Sequence, residues 1–433
     1  MSASLIILSG LILALGAVPL ITPRKMFEFP YVTGMFLSVW LLPQAWAVEK
    51  GGLADPFDPT IAWVYMCLAL VFLVAGYSAG RVLGRHTAER KQDEIATMYS
   101  EKRMGQASLV LIAVGAGGFF MMTRTAAATT YETGWTGIVL VYAMLAQCLV
   151  FGAALNFLIY LRTNNRTALV LFVIATAIFS PGLLVAVKRE YIFQFAIIIF
   201  GGLFLVRNFV MPRVFLFAAC LLGAFIVNQA GMLRGYVKTN DSSLVGALTS
   251  TEVLSGEYGK DMHITPAAEV TGAVTDIAIA TDLGEYRPFV STYNGMVSRY
   301  FPAFIFGRDA KNAMMIKVND NPLSNRYFSM GATRTGFSDT FLDYWYFGVF
   351  AFALLGAFFG WLFSMASVGG LRDQYLYVSM LGLGLHGITH AFQEFVASLP
   401  FLLLVVWLPF RYARITIAES KRLKLRPQVQ GGS

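Results

Sequence analysis

Residues Gly331 to Trp361 read GATRTGFSDTFLDYWYFGVFAFALLGAFFGW, and the change of character inside this stretch decides the fold. Its first half carries Arg334, Ser338, Asp339, Thr340 and Asp343. Its second half is an apolar, aromatic, glycine-rich run suited to a membrane. The switch falls between Tyr344 and Gly348, so polar groups are delivered to the mouth of a membrane helix. Asp339 and Asp343 are four apart and share one face of a helix. They suit a ligand-binding role, or equally a helix N-terminus whose acids complement the dipole.

The composition of the whole chain agrees. Of 433 residues, 57% are hydrophobic and only 13% are charged, against roughly 25% charged in soluble proteins. The mean hydropathy is +0.62. The expected class is an all-α polytopic membrane protein. The net charge of +8 is not a nucleic-acid signal, because the basic residues lie between apolar runs and form no patch. Cys67, Cys148 and Cys220 all sit inside apolar runs, which predicts no disulfide framework. Leu5 to Ile21 lacks a basic segment in front of it and reads as an uncleaved first helix.

Spanning a bilayer takes about 20 apolar residues. Eleven runs approach that length, near 4–22, 28–48, 61–80, 106–123, 135–161, 167–187, 191–206, 214–231, 343–366, 375–391 and 395–411. The domain reading is helices 1–8 over residues 1–230, a large loop over 231–340, helices 9–11 over 341–411, and a basic tail over 412–433. No internal repeat is visible. With the tail in the cytoplasm, 19 of the 33 Lys and Arg fall on that side. Another 10 belong to the long loop, and only Lys50, Arg124, Lys188 and Arg189 are left outside. The loop and the N-terminus are therefore expected outside.

Three groups of residues are candidates for chemistry. Lys188 and Arg189 form a basic pair at a tight turn on the outer side, against the inside bias. They suit an anion such as a phosphate, or else snorkelling and a pairing with Glu190. The loop of about 110 residues is too long to be structureless and predicts a small, partly helical external cap. It is rich in Arg, including Arg234, Arg299 and Arg334, and in Tyr. Arg suits bidentate phosphate or carboxylate recognition, and aromatic faces suit sugar rings; both residue types also build a cap's own core. Finally, HGITHAFQEF spaces His386, His390 and Glu394 four apart, on one face of a continuous helix. Ionisable groups at membrane depth are functional candidates, and a His beside a carboxylate serves as a general base. His386 would lie about 6 Å deeper than His390, in a packing role. Zinc ligation is disfavoured because no HExxH pattern is present.

With its outward basic turn, its large late loop and a return helix entered through SDTFLDYWYFGVFAFALLGAFFG, the chain resembles bacterial oligosaccharide repeat-unit polymerases of the O-antigen polymerase type. Asp339, Asp343, Tyr344, Phe347 and Gly348 fit that family's acidic–aromatic stretch and Phe-Gly step. Lys188 and Arg189 before Tyr191 are similar to its basic residue opening a membrane helix. A spaced arginine–glycine repeat of some members is not matched by Arg234 and Gly246. The resemblance implies a fold like the membrane glycosyltransferase C type in the bacterial inner membrane, its active site facing the periplasm. It implies a metal- and cofactor-independent transfer from one undecaprenyl-pyrophosphate-linked glycan to another. A chain-length regulator protein is an implied partner. Lys188, Arg189, Arg234, Arg299, Arg334, Asp343 and Tyr344 are then expected to bind substrate. His390, oriented by Glu394, is the expected base, with Asp339 as the alternative. An O-antigen ligase would use the same chemistry, and a transporter or flippase is the reading from another class.

Overall fold

The computed structural model describes residues 2–51, 58–92, 99–126, 138–184, 189–219, 268–284, 287–317 and 334–414. Among them there is no strand, and one isolated bridge joins Tyr99 to Arg414. The chain begins with α1 (Ala3–Ile21), α2 (Phe29–Gly51), α3 (Thr60–Gln92), α4 (Glu101–Ala126), α5 (Ile138–Thr163) and α6 (Arg166–Leu184). The next run is broken into α7 (Arg189–Ala196), a π turn (Ile197–Gly201) and α8 (Gly202–Arg207). From the long loop come α9 (Ala268–Leu283), α10 (Val290–Tyr300), α11 (Ala303–Phe306) and α12 (Arg308–Met314). The return begins with α13 (Gly336–Tyr344) and a 3₁₀ turn (Trp345–Gly348). It ends with α14 (Val349–Ser367), α15 (Leu371–Thr389) and α16 (Phe392–Ala413).

Seven described helices are long and apolar enough to cross a membrane: 3–21, 29–51, 60–89, 101–125, 138–163, 336–367 and 392–413. They coincide with seven of the eleven expected runs. The runs at 167–187 and 191–206 contain shorter apolar helices. The run at 375–391 is helical only to Thr389, within α15, whose first turn carries the polar Arg372, Asp373 and Gln374. The run at 214–231 leaves the described residues after its first turns.

The tightest joint in the bundle is between α3 and α14. Gly76 and Gly80 of α3 lie against the backbone of Ala353 and Ala357, and Gly356 and Gly360 of α14 lie against Leu73 and Tyr77. A Cβ at any of these four glycines would collide with a carbonyl of the facing helix. In lipid, association relies on such close approach of small residues, since apolar burial from water is not at stake.

Contacts sort the charges toward the two ends of the bundle. At one end Arg81 pairs with Glu28 at 2.9 Å, and Tyr77 donates to the same carboxylate at 3.0 Å. Nearby, Arg162 donates to Gln374 at 2.7 Å, Arg207 to Asn164 at 2.6 Å and Arg213 to the carbonyl of Ile21 at 3.2 Å. At the other end Trp63 donates to Glu49 at 3.2 Å, and Tyr65 bonds to Thr340 at 2.9 Å.

One element of the loop departs from the expected cap. The segment AEVTGAVTDIAIATDL forms α9, and Val270 through Ala280 are buried. It packs against α2, α3 and α13 instead of covering them from outside. The reason is its composition: it is apolar enough to be buried, yet 16 residues reach only about 24 Å, short of a hydrocarbon core of about 30 Å.

Candidate functional site

The site is built on α13 (Gly336–Tyr344). Thr335, in extended conformation, caps it by accepting from the Ser338 N–H at 3.3 Å. Every residue from Gly336 to Asp343 is buried. Phe337 stacks on Phe352 at 5.1 Å, and Phe341 meets Tyr65 edge-on at 4.9 Å. Gly348 is held where Tyr65 Oη and the Thr340 carbonyl occupy the space of a Cβ. Its neighbour Phe347 is 72% exposed on the outer surface. That pairing explains the Phe-Gly step physically: one residue faces outward, and the other admits a tyrosine hydroxyl. Trp345 closes α13 with φ +55, a strained value for a bulky residue.

Asp339 sits at the centre, 2% exposed. The side-chain amide of Gln393, oriented with nitrogen inward, donates to both of its oxygens, at 3.2 Å to Oδ1. Arg334, Asp276, Asp343 and Glu394 all act on it electrostatically. Arg334 Nε stands 3.5 Å from Asp276 Oδ2, so α9 contributes a carboxylate beside a cation that acts on Asp339. The carbonyl of Gly387 fills the space a Cβ at Gly336 would need, which docks the start of α13 onto the last turn of α15.

Beside that contact lies a small open cleft of about 30 Å³, lined by Phe36, Trp40, Phe193, His386, Thr389 and His390 among others. The two imidazoles stack at 4.4 Å. His390 Nδ1 is 2.8 Å from Thr389 Oγ1. The Thr389 hydroxyl also lies 3.1 Å from the Leu385 carbonyl, to which it donates. When the hydroxyl donates to that carbonyl, its oxygen accepts from Nδ1–H and the basic lone pair of His390 falls on Nε2.

The continuous helix expected from His386 to Glu394 is not present. α15 ends at Thr389, His390 caps it with φ −119 and ψ −90, and Ala391 is extended before α16 starts at Phe392. Glu394 is therefore exposed in the first turn of a different helix, and the shared face with His390 does not exist. Its role as the group orienting His390 loses its geometric basis.

No protein-family model matches the chain, and no curated protein or solved structure matches it either. Asp339, Arg334, Asp343 and Glu394 belong to one network, with His386 and His390 on its flank. Asp343 accepts from the N–H groups of Ser291 and Thr292 at 2.9 and 2.8 Å and from Thr292 Oγ1 at 2.8 Å. It thus caps α10 (Val290–Tyr300) from another element, and its acceptor capacity is largely used inside the protein. Tyr344 touches the same Thr292 at 3.1 Å and stacks edge-on against Phe289. Arg299 donates to the Glu394 carbonyl at 3.1 Å and to Ser398. Burial holds its pKa below the usual arginine value, and the Glu394 carboxylate opposes that shift. Asp343, Tyr344 and Arg299 thus join helices. Arg189 opens α7, whereas Lys188 and Arg234 lie outside the described residues.

Asp276 and Gln393 were not singled out from the sequence. Asp276 is the one charged residue between Val270 and Thr281 in a helix otherwise small and apolar, and that isolation was the available signal.

Proposed function

We propose that the chain is a membrane glycosyltransferase that polymerises undecaprenyl-pyrophosphate-linked oligosaccharide repeat units, needing no metal. In this reading it has eleven spans in the inner membrane, with the basic end in the cytoplasm and the 231–340 loop in the periplasm. The observation that carries the reading is the joining, at the end away from the basic cluster, of a buried carboxylate network around Asp339 and an aromatic cleft bearing two imidazoles. The loop's return helix and a buried helix of the loop itself meet there. A transporter would use ionisable groups near mid-membrane, whereas these lie at the mouths of spans.

The chemistry asks for three things. The acceptor hydroxyl attacks the anomeric carbon of the donor sugar, the bond to pyrophosphate breaks, and the hydroxyl proton passes to a base. His390 Nε2 in the aromatic cleft is the proposed base, and Asp339 is the alternative. The leaving pyrophosphate is stabilised by cations: Arg334, together with Arg189, Lys188 and Arg234. Arg299, tied to α16, serves the fold.

The test is polymer formation by purified protein from a lipid-linked repeat unit, read as a ladder on a gel. His390→Gln should lose about 10²–10⁴-fold while donor binding persists. Arg189→Ala should abolish the ladder, and Arg189→Lys should restore it only in part. Transfer of glycan to a lipid A core, with no ladder, would instead identify a ligase. Translocation of intact donor across a vesicle, with no new glycosidic bond, would identify a flippase.

A further inference from the structure

The loop helices α10 and α11 carry an apolar stripe that nothing described in the protein covers. Tyr293, Met296 and Tyr300 recur at three- and four-residue spacing along α10, so they lie on one side, which they share with the buried Val297. Each is 40–41% exposed. Phe289 precedes them at 62%, and Phe304, Ile305 and Phe306 continue the stripe in α11 at 53–63%. All seven of these residues are large and carbon-rich, in a segment the sequence places in an aqueous loop.

The position of α10 says what they face. Its first turn is tied to Asp343, where the return helix approaches the membrane run of α14. Its last turn is tied to the first two turns of α16: Arg299 donates to the Glu394 carbonyl, and Tyr300 Oη donates to the Ala397 carbonyl at 2.6 Å. The 22 residues of α16 reach about 33 Å, against a hydrocarbon core of about 30 Å. Its first turn, Phe392 to Phe395, therefore lies at that boundary, and Ala397 and Ser398 lie within about 9 Å of the helix start. A helix anchored at the mouths of two spans runs along that boundary and does not project away from it. Beyond it on the α14 side, Phe347, Phe350 and Leu354 are 72, 52 and 72% exposed on the surface that meets lipid. The exposed charges that follow α11 are Arg308, Asp309 and Lys317, of which the two basic ones can meet lipid phosphates, while Lys311 turns inward to the Ser298 carbonyl at 2.9 Å.

We infer that α10 and α11 form an interfacial anchor, with Tyr293, Met296, Tyr300 and Ile305 seated at the headgroup–acyl boundary of the bilayer. An apolar face, aromatic residues at the interface and basic residues at the rim are what such a helix requires. Because Asp343 caps α10, the anchor couples the lipid surface to the helix that carries Asp339. The inference is independent of the polymerase reading, since any protein with this loop would show it.

The test uses the full-length protein in nanodiscs of phosphatidylethanolamine and phosphatidylglycerol. The three cysteines are replaced (Cys67→Ser, Cys148→Ala, Cys220→Ser), and a single environment-sensitive fluorophore is attached through Ile305→Cys. A second variant carries it through Met296→Cys, and Asn312→Cys gives a solvent-facing control. Shallow spin-labelled lipid should quench the probes at 296 and 305 at least several-fold more than the probe at 312. Aqueous iodide should show the reverse order. Strong iodide quenching at 305 equal to that at 312 would overturn the inference. Protection at 305 from both quenchers would also overturn it, and would assign the stripe to a protein partner.

Discussion

The joint between α3 and α14 gives the sharpest test of the packing, through Gly80→Ala. A Cβ at Gly80 would stand 2.7 Å from the carbonyl carbon and from Cα of Ala357, with the carbonyl oxygen nearer still. Ordinary contact starts at 3.4 Å, so the two helices must separate by about 0.7 Å or more. A gap of 0.5–1 Å forfeits about a quarter to a half of each van der Waals well along the seam. Overpacking of this kind typically costs about 1–3 kcal/mol. The loss falls on the pair of helices that position Tyr65 against Thr340, and hence α13. The assay is the thermal midpoint of the detergent-purified protein, followed by size-exclusion of a fluorescent fusion. Gly10→Ala and Gly117→Ala are the controls, because a Cβ at either meets nothing within 4 Å. In those exposed helical positions alanine should leave the midpoint unchanged or raise it, since glycine costs roughly 0.5–1 kcal/mol relative to alanine. Equal midpoints for Gly80→Ala and Gly117→Ala would refute the close approach of α3 and α14.

Three further outcomes are expected. Asp343→Asn keeps the shape but loses the charge-assisted bonds to Ser291 and Thr292, about 1.5–3 kcal/mol for such contacts; faster hydrogen exchange across residues 290–300, with the rest of the bundle unchanged, is the measurement. Polymer formation should persist in chelator, because the sequence offers no convincing ligand set. Loss restored by a divalent ion would make Asp339 and Asp276 metal ligands. Reporter fusions after Arg90 and after Arg414 should read cytoplasmic, and one near Lys260 periplasmic; a cytoplasmic signal at Lys260 would put the Asp339 network in the wrong compartment.

The spans were legible because hydropathy is a sum over some twenty residues, and no single contact changes it. α9 was not, because sixteen small and apolar residues fall below the length of a span and above the apolarity of a surface loop. The break at Ala391 was also hidden. His386, His390 and Glu394 keep a helical period, and no proline or glycine lies between His390 and Glu394, where the helix breaks. What breaks the helix is tertiary: Gly387 receives the start of α13, and Gln393 turns toward Asp339, so α15 and α16 meet α13 from different directions. The glycines of α3 and α14 were visible as a spacing, but a spacing does not say which two helices meet.

Asp339 and Asp343 show why a shared helical face does not imply a shared task. Both are 2% exposed, one turn apart on α13. Asp343 lies where α10 begins, and three donors of Ser291 and Thr292 occupy it. Asp339, one turn earlier, meets an amide of α16 and faces Arg334 and the carboxylate brought by α9. Neutralising Asp343 removes a cap and leaves neutral donors behind. Neutralising the buried Asp339 changes the electrostatic balance of a cluster that includes Arg334, Asp276 and Glu394. An Asp343→Asn variant should therefore be rescued by whatever restores the stability of α10, and an Asp339→Asn variant should not. That separation makes Asp339 the member of the pair suited to chemistry and Asp343 the member that holds the loop in place.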